Sequence, residues 1–590
     1  MIKSILENFY TIFWIISVLF IFSSFFFYRK NYSKIFNSWI LFIITFLYTI
    51  YWIPQGFDIT DEGYMLSKSW FMTHGMWSYN IDKIWGSTLL NKLRLSVLGT
   101  PSLIWVRFGY SIVVALMAVF SFKILKFRFD KIEAFISVFA LSLISYSGRL
   151  QIINYHNIST LILLISIYFF VLAFVKKNNK ILIISGFLIL LATVSKITLG
   201  LFLAYPFFYF LIINVLEKNK FSEFIIKNIY VYAGVFIALI FSILILIYTK
   251  SLDDFYIHLF RTAKKNANSN STHSFSYLWD LYKNDLWLIF SKSFYVSIWL
   301  IISALIIKKV KLKIFKILIL VLFAWFGLYF TIEIYEYEKW KYMIYAIGVA
   351  SLLLYLIFSD NYKNDFSILF FSIILFFISF FGSNNGIRIL LASGAGIFSI
   401  SAFILLLKSV KLKFNNIEYN FHISILSILI FIFLLINENK PKDIYRDYPR
   451  EKITTYFQSR PLIGIKSEKS KVEVVDSLYH FLKSNVSKDN SIMCVTTIQM
   501  LYFILDKKYH TYDLWKQPET EFKNINKKKD IDYFIFPLKN PRIHHWIKKH
   551  DKPLAKNDSI NYKFYKNIVI EKKYLKVYTN SMFEVFKKAD

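Results

Sequence analysis

Three carboxylates, Asp58, Asp61 and Glu62, fall within five positions of "QGFDITDEGYMLSKSW", Gln55 to Trp70, directly after a long apolar run. A carboxylate at the edge of a dry membrane can serve as general base toward a hydroxyl, its pKa set by burial and neighbours. Acids in that place can also simply mark the point where a helix meets water. Lys196, in "LLATVSKITLGLFLAYPF", is a lone cation between two apolar runs. An ionisable residue inside a membrane segment points to function by default, although a lysine at a helix end can also snorkel to the interface. Asp254, His258 and Arg261, in "DDFYIHLFRTAKKN", stand at i, i+4 and i+7, the spacing of one helical face, with Lys264 and Lys265 after them. An imidazole beside an acid could ligate a metal, and the arginine fork suits phosphate. A solvated amphipathic helix explains the same spacing. Weaker groups are Arg149 with His156, Glu336 and Glu338 with Lys339 and Lys341, and Asn385 with Arg388. The chain has no H-E-x-x-H, C-x-x-C, G-x-S-x-G, G-x-G-x-x-G or P-loop pattern, so nucleotide binding is unsupported.

The elements that must position these groups are mostly membrane helices. Of 590 residues, 56% are hydrophobic, 20% aromatic and only 18% charged, with a mean hydropathy of +0.47. Soluble globular chains carry about 25% charged residues. Apolar runs long enough to span begin near Phe9, Ser38, Ile104, Ile132, Ile158, Ile181, Thr198, Tyr230, Leu286, Phe315, Met343, Ser367, Ile387 and Phe421, which predicts about 14 transmembrane helices. Ile181 to Leu216 also reads as one broken span. The first run is too long for a signal peptide and has no small-residue cleavage site after it, so a retained helix is expected.

Orientation follows from charge. One set of short loops, from Tyr28–Phe36 to Lys408–Asn420, holds about 22 Lys and Arg in about 60 residues, against about 15 in about 120 on the opposite side. Cationic loops stay cytoplasmic. The acidic stretch, Lys196 and the second long loop then share the outer face, with the N-terminus and the tail. The net charge of +32 is accounted for by these loops and the tail, which argues against nucleic acid as a partner. A single cysteine, Cys494, excludes an intrachain disulfide framework.

The predicted domains are a transmembrane part, 1–437, with large outer loops at 55–103 and 250–285, and a soluble extracytoplasmic part, 438–590. The first loop reads as one or two short helices on the bilayer surface. The tail reads as an extended linker marked by Pro441, Pro449 and Pro461, then a helix through Val472–Leu482. Strands at Ser491–Val495, Ile531–Leu538 and a final Tyr574–Thr579, with a helix at Ile498–Leu505, complete a small α/β domain.

The Asp61–Glu62 pair in "TDEGYMLSKSW", the "SK" in "LLATVSKITLG", two large outer loops and the tail resemble the C-type membrane glycosyltransferases. The resemblance is to the bacterial branch of aminoarabinose transferases and relatives of the protein O-mannosyltransferases. It covers the topology more than the exact sequence, and it adds one N-terminal helix to the family's usual order. It implies a polyprenyl-phosphate-linked sugar donor and a lipid, glycan or protein acceptor, joined by inverting transfer at the outer face of the membrane. It makes Asp61 the catalytic carboxylate, Glu62 its partner, and Lys196 and Arg261 contacts of the lipid phosphate. His156, Arg388 and Asp58 would line the substrate side, and Glu62 with His258 could hold a divalent metal ion. A flippase of lipid-linked saccharides would place more charge deep within the spans. An O-antigen polymerase or ligase would lean on Arg and His of later loops and would not need the early Asp-Glu pair. The Lys-, Ile- and Asn-rich composition suggests a low-GC bacterium and hence a bacterial inner (plasma) membrane.

Overall fold

A computed structural model describes residues 36–77, 84–98, 102–146, 151–217, 221–262, 274–309, 339–410, 446–487, 489–507, 531–542, 554 and 556–589. The described helices of the membrane part are α1 (Ser38–Ile50), α2 (Asp61–Thr73), α3 (Trp85–Leu98), α4 (Leu103–Leu125), α5 (Lys131–Ser145), α6 (Tyr155–Val175), α7 (Ile181–Ser195), α8 (Tyr205–Glu217), α9 (Phe221–Tyr248), α10 (Phe275–Lys309), α11 (Lys339–Phe358), α12 (Tyr362–Ile378) and α13 (Ala395–Leu406). Local chemistry starts several of them. Asn37 caps α1 by accepting from the backbone N–H groups of Trp39 and Ile40, and Asn154 and Asn157 form a reciprocal capping box on α6.

Among the described residues six helices are long and apolar enough to cross a membrane: Leu103–Leu125, Tyr155–Val175, Ile197–Glu217, Phe221–Tyr248, Phe275–Ile302 and Lys341–Phe358. A seventh results if Gly386–Ala392 and Ala395–Ser409, bent by 88°, form one span. The bend is built on Gly394, whose φ of +84° disfavours any side chain, and a Cβ there would meet Met117 Sδ at 2.4 Å. The described residues therefore bear out about half of the fourteen predicted spans. The runs at Ser38, Ile132, Ile181 and Ser367 fold as helices of 13, 15, 15 and 17 residues. At 1.5 Å per residue these are about 20–26 Å long, short of the roughly 30 Å hydrocarbon core. The runs at Phe9, Phe315 and Phe421 lie outside the described residues. The break read near Lys196 is present. Lys196 itself is extended (φ −153°, ψ 100°), and a 3-10 helix, Ile197–Ala204, leads into α8.

The apolar core of the bundle gathers α4, α5, α6, α11, α12 and α13 around rings such as Phe135, Phe139, Phe170, Tyr209 and Phe371. One end is stapled by Arg128 Nε on the buried Asp365 Oδ1 at 2.5 Å, with the Tyr355 and Ser409 hydroxyls on Oδ2 at 3.1 Å. The other end collects the chain turns that matter for chemistry. There Tyr146 Oη donates to Thr49 O (3.2 Å) and Gln151 Nε2 to Trp52 O (2.8 Å), tying the ends of α1 and α5 to the start of α6.

The tail adds α14 (Lys469–Asn485), α15 (Met500–Leu505) and α16 (Lys556–Glu571) to six strands: β1 (Thr455–Tyr456), β2 (Lys466–Ser467), β3 (Ile492–Cys494), β4 (Tyr533–Pro537), β5 (Leu575–Thr579) and β6 (Phe583–Lys587). β1 and β2 pair antiparallel. The others form a sheet in the order β3-β4-β6-β5, with β3 and β4 parallel and the remaining pairs antiparallel. Tyr574–Thr579 is not the last strand: β6 follows it and takes an inner place in the sheet, its Phe583, Val585 and Phe586 buried. Cys494 is a buried thiol, and burial pushes its pKa up.

This tail is not separated from the first outer loop. Phe57, Ile59, Leu66, Phe71 and Val106 share one apolar core with Leu462, Val475, Leu478, Met500 and Phe583. Gly56 N donates to Lys466 O (3.0 Å), Lys466 N to Pro54 O (2.8 Å) and Met500 N to Ile59 O (3.2 Å). Of the two loop helices, α2 is thus enclosed between α3 and the tail, whereas α3 exposes Leu93 and Val97. The close approach of α2 to α15 depends on Gly63, where a Cβ would stand 2.3 Å from the Met500 nitrogen. Gly63→Ala is expected to cost about 1–3 kcal/mol, the usual scale of overpacking. It should lower the thermal unfolding temperature and release the tail to limited proteolysis; an unchanged digestion pattern would count against this packing.

A candidate active site at one end of the bundle

The three acids of the first loop occupy three different environments. Asp58 is buried and accepts from Thr60 N (3.0 Å), Thr60 Oγ1 (2.7 Å) and Glu62 N (2.9 Å). It builds the turn that starts α2. Glu62 is buried as well. Its Oε1 receives Arg107 Nε and its Oε2 receives Arg107 Nη2, both at 2.7 Å. Arg107 also donates to the carbonyls of Ile53 (2.8 Å), Gln55 (3.3 Å) and Gly56 (2.9 Å). This pair fastens the loop to α4. Asp61, in the first turn of α2, keeps 28% of its side chain exposed and meets Arg446 Nη2 with its Oδ2 at 2.8 Å. Of the three acids it is the one that water or a substrate can reach.

Arg107 and Arg446 were both missed in the sequence. Arg107 carried a signal, a cation inside the apolar run "LIWVRFGYS", which deserves the same reading as Lys196. Arg446 stands in the stretch read as linker, and its role depends on the tail folding back onto residues 54–60. Beneath it Lys471 is fully buried, donating to Phe57 O (2.7 Å) and Arg446 O (2.8 Å), with Asp447 Oδ1 3.7 Å away. Burial pushes its pKa below the ordinary lysine value, while Asp447 and Asp58 pull it back up.

A second polar cluster surrounds Lys196. Its Nζ is buried and donates to Ser379 O, and its charge is near enough to act on the His156 ring. His156 Nδ1, Thr198 Oγ1 and Ser379 Oγ are buried and hydrogen-bond to no group among the described residues. Buried polar groups are normally satisfied, so a knot of such atoms around a cation fits a place for a polar ligand group. Helix α3 links the two clusters. Its Gly86 packs against Val194 and Ser195, beside Lys196, and its Asn91 Nδ2 donates to Ser69 Oγ of α2 at 3.0 Å. Also on α3, Arg94 gives Nη1 to Val106 O (2.7 Å), while its buried Nε and Nη2 have no partner among the described residues; burial pushes its pKa down to about 10.

Arg388 lies one step further along the same loop that accepts Lys196. Its carbonyl receives Tyr345 Oη (3.2 Å), and its guanidinium lies beside the Tyr342 hydroxyl, which donates to the buried Asp285 Oδ1 at 2.6 Å. Arg388 and Lys196 are therefore held by one segment, 379–388. The Asp254–His258–Arg261 face is not supported as drawn. Leu252–Tyr256 is α-helical but Ile257–Thr262 is π-helical, and the 3.6-residue period on which that face rested does not run through it. The side chains of His258 and Arg261 lie outside what is described, as do Arg149, Glu336 and Glu338. Of the two donors of the metal reading, Glu62 alone has a described side chain. Both Glu62 oxygens belong to Arg107, and no group of three or more His, Cys, Asp or Glu converges among the described residues.

Residues 87–248 match the family model of dolichyl-phosphate-mannose-protein mannosyltransferase. The resemblance drawn from the sequence holds over that stretch, which runs from α3 to the end of α9. It contains Arg94, Arg107, His156 and Lys196, whereas the three acids precede it and Arg388 and Arg446 follow it. The match and the apolar helices fit a multi-pass membrane protein. No curated protein matches the chain.

Proposed function

We propose that the chain is a membrane glycosyltransferase that moves a sugar from a polyprenyl-phosphate-linked donor to an acceptor at the outer face of a bacterial plasma membrane. The observation that carries this is the division among the three acids: two are consumed in holding the loop, and Asp61 is left partly open. The family match over residues 87–248 supports the donor class, since the family is named for a lipid-phosphate sugar.

In this reading the lipid phosphate sits against Lys196, with His156 and Arg94 as further donors. The acceptor oxygen attacks the anomeric carbon, the bond from that carbon to the phosphate oxygen breaks, and its electron pair leaves on the phosphate. The acceptor proton passes to Asp61. Cations at the departing phosphate stabilise the charge that develops there. The tail faces the same side as Asp61, which makes it extracytoplasmic in this reading.

The test is mass spectrometry of cell-envelope glycans from cells with and without the protein. A sugar that disappears with the chain and returns on complementation supports transfer, and identical envelopes overturn it. Lys196→Met keeps the length of the side chain and removes its charge. It is expected to weaken donor use by about 10- to 100-fold, the equivalent of a charge-assisted hydrogen bond. It should also abolish the thermal stabilisation of the purified chain by added polyprenyl phosphate; undiminished stabilisation would exclude Lys196 from the phosphate site.

A further inference from the structure

We propose that Arg446 is the residue that aims the Asp61 carboxylate, so that the tail completes the active site and does more than cover it. This rests on the reading of Asp61 as the catalytic carboxylate.

The Arg446 guanidinium bridges the turn that leads into α2. Nη2 meets Asp61 Oδ2 at 2.8 Å, and Nη1 contacts Thr60 Oγ1 and lies 3.8 Å from Asp58 Oδ1. Only 18% of its side chain is exposed, so this is not a loose surface pair. Its backbone is held in turn. Arg446 takes a φ of +51°, a left-handed conformation uncommon for a residue with a side chain, and persistence in it requires support from the surroundings. That support is on both sides. Lys471 from α14 donates to the Arg446 carbonyl, and the next residue, Asp447, accepts Phe57 N and Ser467 Oγ through its Oδ2, both at 2.6 Å. The arginine is a fixed arm reaching from the tail to the Asp61 carboxylate, with Asp58 at its side.

The turn does not need this arm in order to form. Asp58 already caps it, and Glu62 with Arg107 already anchors it to α4. What Arg446 adds is a two-point hold on the turn that fixes the plane of the Asp61 carboxylate, and hence where its lone pairs point. A proton acceptor placed wrongly by about 1 Å can lose about 100-fold in rate. The tail thereby acts on catalysis through one guanidinium, and Arg446 is a positioning residue.

The experiment complements cells lacking the chain with full-length variants. It measures the envelope glycan product per amount of membrane protein, and the unfolding temperature of each purified variant. Arg446→Ala is expected to lose about 100-fold of product with little change in unfolding temperature, and Arg446→Lys to restore part of it. Lys471→Met, which leaves the carbonyls of Phe57 and Arg446 without their buried donor, is expected to show the larger fall in unfolding temperature, so the two variants rank oppositely by stability and by product. Wild-type product from Arg446→Ala overturns the proposal. So does a loss of product that only follows its loss of stability. If Asp61→Asn is inactive in the same cells, those outcomes leave the transfer reading standing. If Asp61→Asn makes wild-type product, the reading of Asp61 fails and Arg446 fails with it.

Discussion

Asp61→Asn is expected to reduce product formation by about 1,000-fold, within the range for removal of a positioned general base, while the protein still folds. The substitution keeps the shape of the side chain and removes the proton-accepting oxygen. Its structural cost should be small. Asp61 is partly exposed, and an asparagine turned with its amide oxygen toward Arg446 can still accept from the guanidinium. Asp58→Asn is the internal control three residues away. Asparagine keeps the oxygen that serves Thr60 and loses the one that accepts from Glu62 N, so this variant should lower the unfolding temperature while activity per folded molecule falls far less than for Asp61→Asn. If both variants are equally inactive at equal abundance, the loop is failing as a structure and Asp61 has no special place. If Asp61→Asn is active, the mechanism is wrong.

How far the site could be read from the sequence depended on whether each residue's partner was near in the chain. The acid cluster and Lys196 announced themselves because ionisable groups stand out in apolar surroundings, and orientation by loop charge put them on one face. Their roles did not follow. Asp58, Asp61 and Glu62 look alike in sequence, and what separates them is Arg107, 45 residues away from Glu62, and Arg446, 386 residues away from Thr60. The tail shows the same division. Two of its helices and three of its strands were legible from period and composition, with α16, β1, β2 and β6 overlooked. Its docking onto residues 54–60 was not, because it runs through backbone groups of Pro54, Gly56 and Ile59 that any sequence would possess. Four of the predicted runs fold as helices too short to span for a related reason: an apolar run reports burial, and a helix of 13 to 17 residues packed inside a bundle is as apolar as one facing lipid.

Arg107→Met is expected to have the largest effect on stability, a loss of about 3–5 kcal/mol, because it leaves the Glu62 carboxylate buried without its partner. The side chains of the pair are 4% and 2% exposed, so water cannot take the arginine's place. The same substitution also strands the carbonyls of Ile53, Gln55 and Gly56, which position the turn before Asp61. Glu62→Gln should cost less, since an amide can still accept from the guanidinium. Combining Glu62→Leu with Arg107→Met should recover part of the loss, as replacing a whole buried ion pair by apolar groups often does. Thermal unfolding of the purified variants measures the cycle. A double variant no more stable than Arg107→Met would show that the carbonyl contacts, and not the stranded charge, dominate. The cycle also guards against a false assignment. Any Glu62 variant that shifts this loop will lose activity through Asp61, and only activity lost at unchanged stability would return Glu62 to the chemistry.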